Sequence, residues 1–223
     1  MARVLNRMIL GITRHWLALV NAVMLLVLGL AVLAPWLMAH GQASAGRLLY
    51  RLYQPLCHQL PERSFFLAGP RAVYDLAELG AHLGYEAPLR WLGDAQLGYK
   101  VAFCERDTAM YAGWLLAGLA FGLLRRPDSR TCSGGMTSTR GAPSCGLRPL
   151  SWRWLLLTML PMAIDGTGQL FGLWESTWWL RVATGLLFAA GTVWFAYPLL
   201  EQGMNDAQEI ALRSLEDGHA ADR

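Results

Sequence analysis

The sequence predicts an all-α fold: an integral membrane helical bundle with four spans and an extracytoplasmic helical segment. Three observations carry this reading. Hydrophobic residues make up 54% of the 223-residue chain and charged residues only 16%, where a soluble domain holds about 25% charged. Ten Trp and 23 Gly suit the interfacial belts and close helix contacts of spanning bundles. Four runs are apolar over roughly the 20 residues a bilayer crossing needs.

The first run covers residues 16–38 and is broken only by Asn21. Arg3, Arg7 and Arg14 before it, and Ala43-Ser44-Ala45 after it, follow the grammar of a secretory leader. The run is longer than the leader core of about 7–15 residues, so it is read as a retained helix. The second run covers 108–124 and extends backwards through 101–103. The third is 154–173. The fourth is 177–200, with Tyr197 and Pro198 near its end.

Arginine sets the orientation. Arg3, Arg7 and Arg14 precede the first span, and Arg125, Arg126, Arg130, Arg140, Arg148 and Arg153 fill the stretch between the second and third with one acid, Asp128. Basic flanks stay in the cytoplasm. Both termini are therefore expected inside, and residues 39–106 outside. The organisation follows: 1–126 hold the first two spans and the outer segment, 127–149 a disordered cytoplasmic linker, 150–200 the last two spans, and 201–223 an acidic cytoplasmic tail. The linker is rich in Gly, Ser, Thr and Pro. Its Cys132 and Cys145 have no His or acid close enough for a metal site and are read as free thiols in a reducing compartment. In the tail, Met204, Ala207, Ala211 and Leu215 form a weak apolar stripe. In the outer segment, Val73, Leu76, Leu79 and Leu83 predict an interfacial helix, with His82 on its surface.

The net charge of +3 is too small to point to nucleic acid, and no phosphate loop, nucleophile elbow or zincin motif is present. Chemistry is confined to a few polar residues. Asp165, with Gln169 one turn later, lies inside the third apolar run. A charge at bilayer depth costs about 2.5–3.5 kcal/mol on insertion scales, so Asp165 needs a partner or a task. Cys57 and His58 lie at the expected outer end of a short helix carrying Leu48, Leu49, Leu52 and Leu56, which Pro61 is expected to end. Cys104, Asp107, Thr108 and Tyr111 fall on one helical face where the second span opens. Such a stripe must face protein or water. Gly118 with Gly122, Gly185 with Ala189, and Gly166, Gly168 and Gly172 permit close helix approach. Glu175 and Arg181 are placed at the outer mouth as a candidate rim ion pair.

At these residues the chain resembles a known family. Cys57-His58-Gln59-Leu60-Pro61-Glu62-Arg63-Ser64, the helix start Cys104-Glu105-Arg106-Asp107-Thr108-Ala109-Met110-Tyr111-Ala112-Gly113 and the element Asp165-Gly166-Thr167-Gly168-Gln169 are similar to the signature of domain of unknown function 2085. That family comprises multi-span membrane proteins of bacteria and archaea. The resemblance implies a prokaryotic cytoplasmic membrane and supplies no biochemical activity. The family pattern has a second Cys where this chain has Asp107, and Gly where it has Ala109. A Cys-x-x-Cys redox pair does not survive loss of one thiol. A metal site does, since carboxylate and thiolate are both anionic zinc ligands.

Three function classes remain open. One is a metal site, with Zn2+ as cofactor and Cys57, His58, Cys104 and Asp107 as candidate ligands. Asp165 is the alternative to Cys57, and Asp165 or Glu175 is the general base if a metal-bound water hydrolyses a substrate. Another is thiol–disulfide chemistry, or a plain disulfide, between Cys57 and Cys104. The last is a non-enzymatic transporter component or accessory subunit, as a homo-oligomer or in a membrane complex, with Asp165 and Gln169 as the ion or proton site.

Overall fold

A computed structural model describes residues 2–85, 88, 90–125 and 147–220; all but the end of the expected linker, with Cys132 and Cys145, lies outside the described residues. The described chain is mainly helical, as expected. Helix α1 (Ala2–Ala39) is followed by α2 (Ala43–Tyr53), α3 (Leu76–Leu83), α4 (Glu105–Leu124), α5 (Trp152–Leu170) and α6 (Trp178–Ala220). Three short strands, β1 (Phe66–Leu67), β2 (Gly93–Asp94) and β3 (Gly98–Lys100), lie between α2 and α4.

Among the described residues, α1, α4 and α6 are long and apolar enough to cross a membrane. The third expected span forms as α5, with 19 residues, about 28 Å at 1.5 Å per residue. Arg153, Asp165, Gln169 and two Trp dilute its apolar character, so it is not a span by the same measure. The structure thus gives three candidate spans instead of four. The leucines of α1, α4 and α5 that point away from the protein, including Leu25, Leu26, Leu116, Leu123, Leu157 and Leu160, are exposed. An apolar outer surface of this extent suits a lipid environment.

Helix α6 is the hub, packing on α4, α5 and α1. It begins at Trp178 and runs through Pro198 into the tail as one helix of 43 residues. The tail is therefore not a separate solvated helix. Ala211 is buried, and Asn6 donates to the Ser214 hydroxyl at 3.0 Å. Small residues set the close approaches. A Cβ on Gly118 would lie 2.2 Å from the Asn21 side-chain oxygen of α1, and one on Gly185 would lie 2.9 Å from the Arg106 carbonyl of α4. Gly172 behaves differently from the sequence reading. Its φ of +66° follows α5 and nothing lies within 4 Å, so it turns the chain and packs against no helix.

The outer segment departs furthest from expectation. Helices form near both expected places, as α2 and α3, but three strands that were not expected join them in a small α+β cap. Among the described residues of 71–100 the helix is α3, closed by a capping box between Asp75 and Glu78 and by left-handed Gly84. The three strands form an antiparallel sheet in the order β1-β3-β2. Gly93 and Gly98 take φ of +104° and +86°, and the Asp94 carboxylate accepts from the amides of Gln96 and Leu97. That turn brings β2 back along β3. Strands of two or three residues are too short for alternation to mark them. His82 bonds Asp94 at 2.7 Å, tying α3 to the turn. Phe66, Tyr74 and Leu79 make the core of this cap.

A second core joins cap to bundle: Ala31 and Ala34 of α1 with Tyr50, Tyr53, Cys57, Val101, Ala102 and Phe103. The Ala102 amide donates to the Ala31 carbonyl at 3.2 Å, and the Tyr53 hydroxyl to Val27 at 2.5 Å. The Tyr50 hydroxyl donates to the Lys100 carbonyl. Tyr50 is 1% exposed, so Tyr50→Phe strands a buried carbonyl. We expect a loss of about 1–3 kcal/mol, read as a lower thermal unfolding midpoint in detergent with no change in mass.

Candidate metal centre

Helix α2 ends at Tyr53, earlier than Pro61 would dictate, because Pro55 has no amide to continue the ladder. The chain then turns back. The Leu56 and Cys57 amides donate to the Tyr53 carbonyl at 3.0 and 3.1 Å. Two residues on, Gln59 sits at φ +55°, a left-handed conformation that a long side chain adopts only when its surroundings hold it. Those surroundings are explicit. Gln59 is 1% exposed, its amide donates to the Tyr50 carbonyl at 2.9 Å, and its carbonyl accepts from the Lys100 amine. Lys100 is fully buried, and burial pushes its amine down to about 8, against the opposing attraction of Cys57 and Glu62.

This sharp bend delivers Cys57 to the start of α4. Cys104 is the N-cap of that helix, and its sulfur accepts from the Asp107 amide at 3.4 Å. The Cys57 sulfur accepts from the Cys104 amide at 3.2 Å. Both sulfurs therefore face the positive end of a helix, where thiolates are favoured. A hydrogen bond from the Cys104 thiol holds Cys57 below the usual thiol range. The same bond, then burial, then Asp107, push Cys104 well above it.

Donor atoms of Cys57, Cys104 and Asp107 all lie within 4.8 Å of one another. Of the four ligands expected from sequence, the structure brings these three together. His58, although adjacent in the chain, is exposed and stays outside the set. It lines the same cavity, about 480 Å³ in volume, whose wall also includes Arg63, Arg106, Gly166, Gln169 and Arg181.

Asp165 is not part of the donor set and does not line this cavity. It is 3% exposed and serves as an acceptor hub. Arg106 pairs with its Oδ2, Gln169 donates at 3.0 Å and Ser176 at 2.9 Å to the same oxygen, and Trp174 reaches Oδ1 at 3.4 Å. Glu175 is exposed, and the expected rim pair with Arg181 gives way to another. Arg181 bonds Glu105 at 2.8 Å and the Ser176 carbonyl at 2.5 Å. Glu105 is fully buried and Arg181 is 8% exposed. Sequence reasoning missed Glu105 as a structural anion and offered Arg106 as a partner for Asp107, where the structure pairs it with Asp165. Their signal was available: two adjacent opposite charges opening an apolar helix require one partner each.

Gly168 lets this network close. A Cβ there would lie 2.1 Å from the Trp174 indole. Gly168→Ala must displace the ring and its bond to Asp165. We expect a loss of about 1–3 kcal/mol and an altered Trp fluorescence signal, checked by thermal unfolding of the variant.

With this geometry in hand, comparison with known proteins is informative. The model of the family described as "Predicted membrane protein (DUF2085)" matches residues 95–195. Over those residues the chain is similar to that family. The matched segment contains Cys104, Asp107 and Asp165, while Cys57 and His58 precede it. An uncharacterised protein of Methanocaldococcus jannaschii is 27% identical over 151 residues, covering 68% of this chain and 67% of its own. No solved structure matches.

Proposed function

We propose that this protein of the cytoplasmic membrane carries an extracytoplasmic metal centre of the zinc class, held by Cys57, Cys104 and Asp107. The fourth position opens to the cavity, where His58 or a water or substrate atom completes it. Convergence of two thiols and a carboxylate supports the reading. Three donors that are anionic when ionised repel one another at such separations unless protons or a cation intervene. In a tetrahedral site with Zn–S of about 2.3 Å and Zn–O of about 2.0–2.2 Å, ligand atoms stand about 3.5–3.8 Å apart, so the set needs at most a small contraction. Such an ion would supply Lewis acidity and a bound water of lowered pKa. A hydrolytic role follows if that water meets a substrate in the cavity. In this reading Asp165 holds Arg106 in place and is a positioning residue, and Glu175 marks the rim.

The test is Co2+ titration of purified protein in detergent. Thiolate-to-metal charge-transfer absorption is expected, retained in His58→Ala and lost in Cys57→Ser and Cys104→Ser. Absence of any band from the wild type would remove the proposal.

A second reading is favoured by one observation, the approach of the Cys57 and Cys104 sulfurs to within 4.8 Å. A disulfide would link the cap to α4 on the oxidising side. Intact-mass measurement under non-reducing conditions separates the two: loss of two hydrogens, restored by reductant, supports the disulfide.

A further inference from the structure

The cavity beside the three donors has a second chemistry. Its wall carries Arg63, Arg106 and Arg181 but a single carboxylate, Asp107. The acids that balance Arg106 and Arg181, Asp165 and Glu105, lie behind them in the protein and are not part of that wall. Neither guanidinium has its donors filled. Arg181 bonds Glu105 through Nη1 and Ser176 through Nη2, and its Nε is buried without a partner. Arg106 holds Asp165 through Nη2, and its Nε is likewise buried and unpartnered. Its Nη1 lies over Gly166, where a Cβ would stand 3.1 Å away, so no side chain there covers it. Arg63 is one-third exposed, with Glu62 at 3.9 Å, too far for a hydrogen bond. An arginine that is more than nine-tenths buried with an unmet N–H calls for an explanation such as a bound ion.

We propose that this cavity binds a phosphate-class anion, gripped by Arg106 and Arg181, with Arg63 at the entrance. The planar guanidinium fork matches phosphate oxygens two at a time, which a scattering of lysines would not do. The anion lies beside Cys57, Cys104 and Asp107, and in that placement alone the inference rests on the metal reading. The cavity is at the cap end of the bundle, lined by Cys57 to Leu60 and by Arg106 and Asp107 of α4, a helix long and apolar enough to cross a membrane. Its ligand is therefore either a free phosphate or the phosphate of a membrane amphiphile.

The test uses the full chain in neutral detergent, with inorganic phosphate as one probe and phosphatidic acid as the other, against phosphatidylcholine as control. Saturable phosphate binding by calorimetry points to the free anion, and binding of phosphatidic acid alone to the lipid source. Either result supports the site if Arg63→Gln weakens it severalfold and the charge-neutral pair Arg106→Gln with Asp165→Asn weakens it at least tenfold. The paired change removes both charges together so that no buried carboxylate is left behind, and Arg63→Gln alters a partly exposed side chain whose ion-pair contact with Glu62 is a long 3.9 Å. Binding should persist in Cys57→Ser with Cys104→Ser, which keeps this outcome separate from the fate of the metal centre. Neither probe binding above the control, or binding indifferent to the arginine variants, overturns the proposal.

Discussion

Asp165→Ala is expected to be the most damaging single substitution in the described chain, lowering the unfolding free energy by about 3–5 kcal/mol. The carboxylate receives four donors from four residues. It joins α5 to the start of α4 through Arg106 and to the α5–α6 turn through Trp174 and Ser176. Truncation leaves the Arg106 guanidinium only one-fifth exposed and without its anion. Breaking one side of a buried pair costs far more than the pair contributes, because the remaining charge has neither water nor partner. Asp165→Asn keeps the shape and loses the charge, so it should fall between wild type and Ala. Thermal unfolding in detergent, followed by Trp fluorescence, reads the order directly. An Ala variant as stable as wild type would show that water reaches Arg106 freely.

Stripping metal is expected to have the second largest effect. An ion bound to the folded state and not to the unfolded one stabilises by RT ln(1 + [L]/Kd), about 4 kcal/mol at a thousandfold excess over Kd. The ligands here come from the cap and from α4, so the ion would clamp cap to bundle. Chelator should therefore lower the unfolding midpoint of the wild type and leave that of Cys57→Ser with Cys104→Ser unchanged. Restoring zinc should reverse the effect in the wild type alone. Equal midpoints with and without chelator would argue against a clamp.

The bundle was legible because hydrophobicity is a long-range signal along the chain. Residues 16–38 and 177–200 carry few competing polar groups, and each emerged within a longer helix. The extensions at the two chain ends were legible only in part: the acidic tail read as helix-compatible, but that it continues α6 and meets the start of α1, as Asn6 and Ser214 do, was not readable. The cap was hidden for the opposite reason. Its strands are shorter than one period of any pattern, and its order comes from Gly93, Gly98 and Asp94 acting locally.

Within the site, Cys57, Cys104 and Asp107 could be singled out because thiols and acids are scarce in an apolar chain. Side-chain direction was the missing knowledge. Gln59 at positive φ decides that Cys57 turns inward while His58 turns out, and nothing in Cys-His-Gln-Leu-Pro announces a left-handed residue at that position. The partner of each charge was equally hidden. Glu105 and Arg106 are sequence neighbours, but they leave the first turn of α4 in different directions, one to Arg181 and the other to Asp165.

The most direct measurement is the metal content of the full chain purified without chelator, taken together with Cys104→Ala and Asp107→Ala. The account predicts about one zinc-class ion per chain, reduced at least tenfold in Cys104→Ala and clearly lowered in Asp107→Ala. A metal-free wild type, or an ion retained in full by both variants, would contradict it.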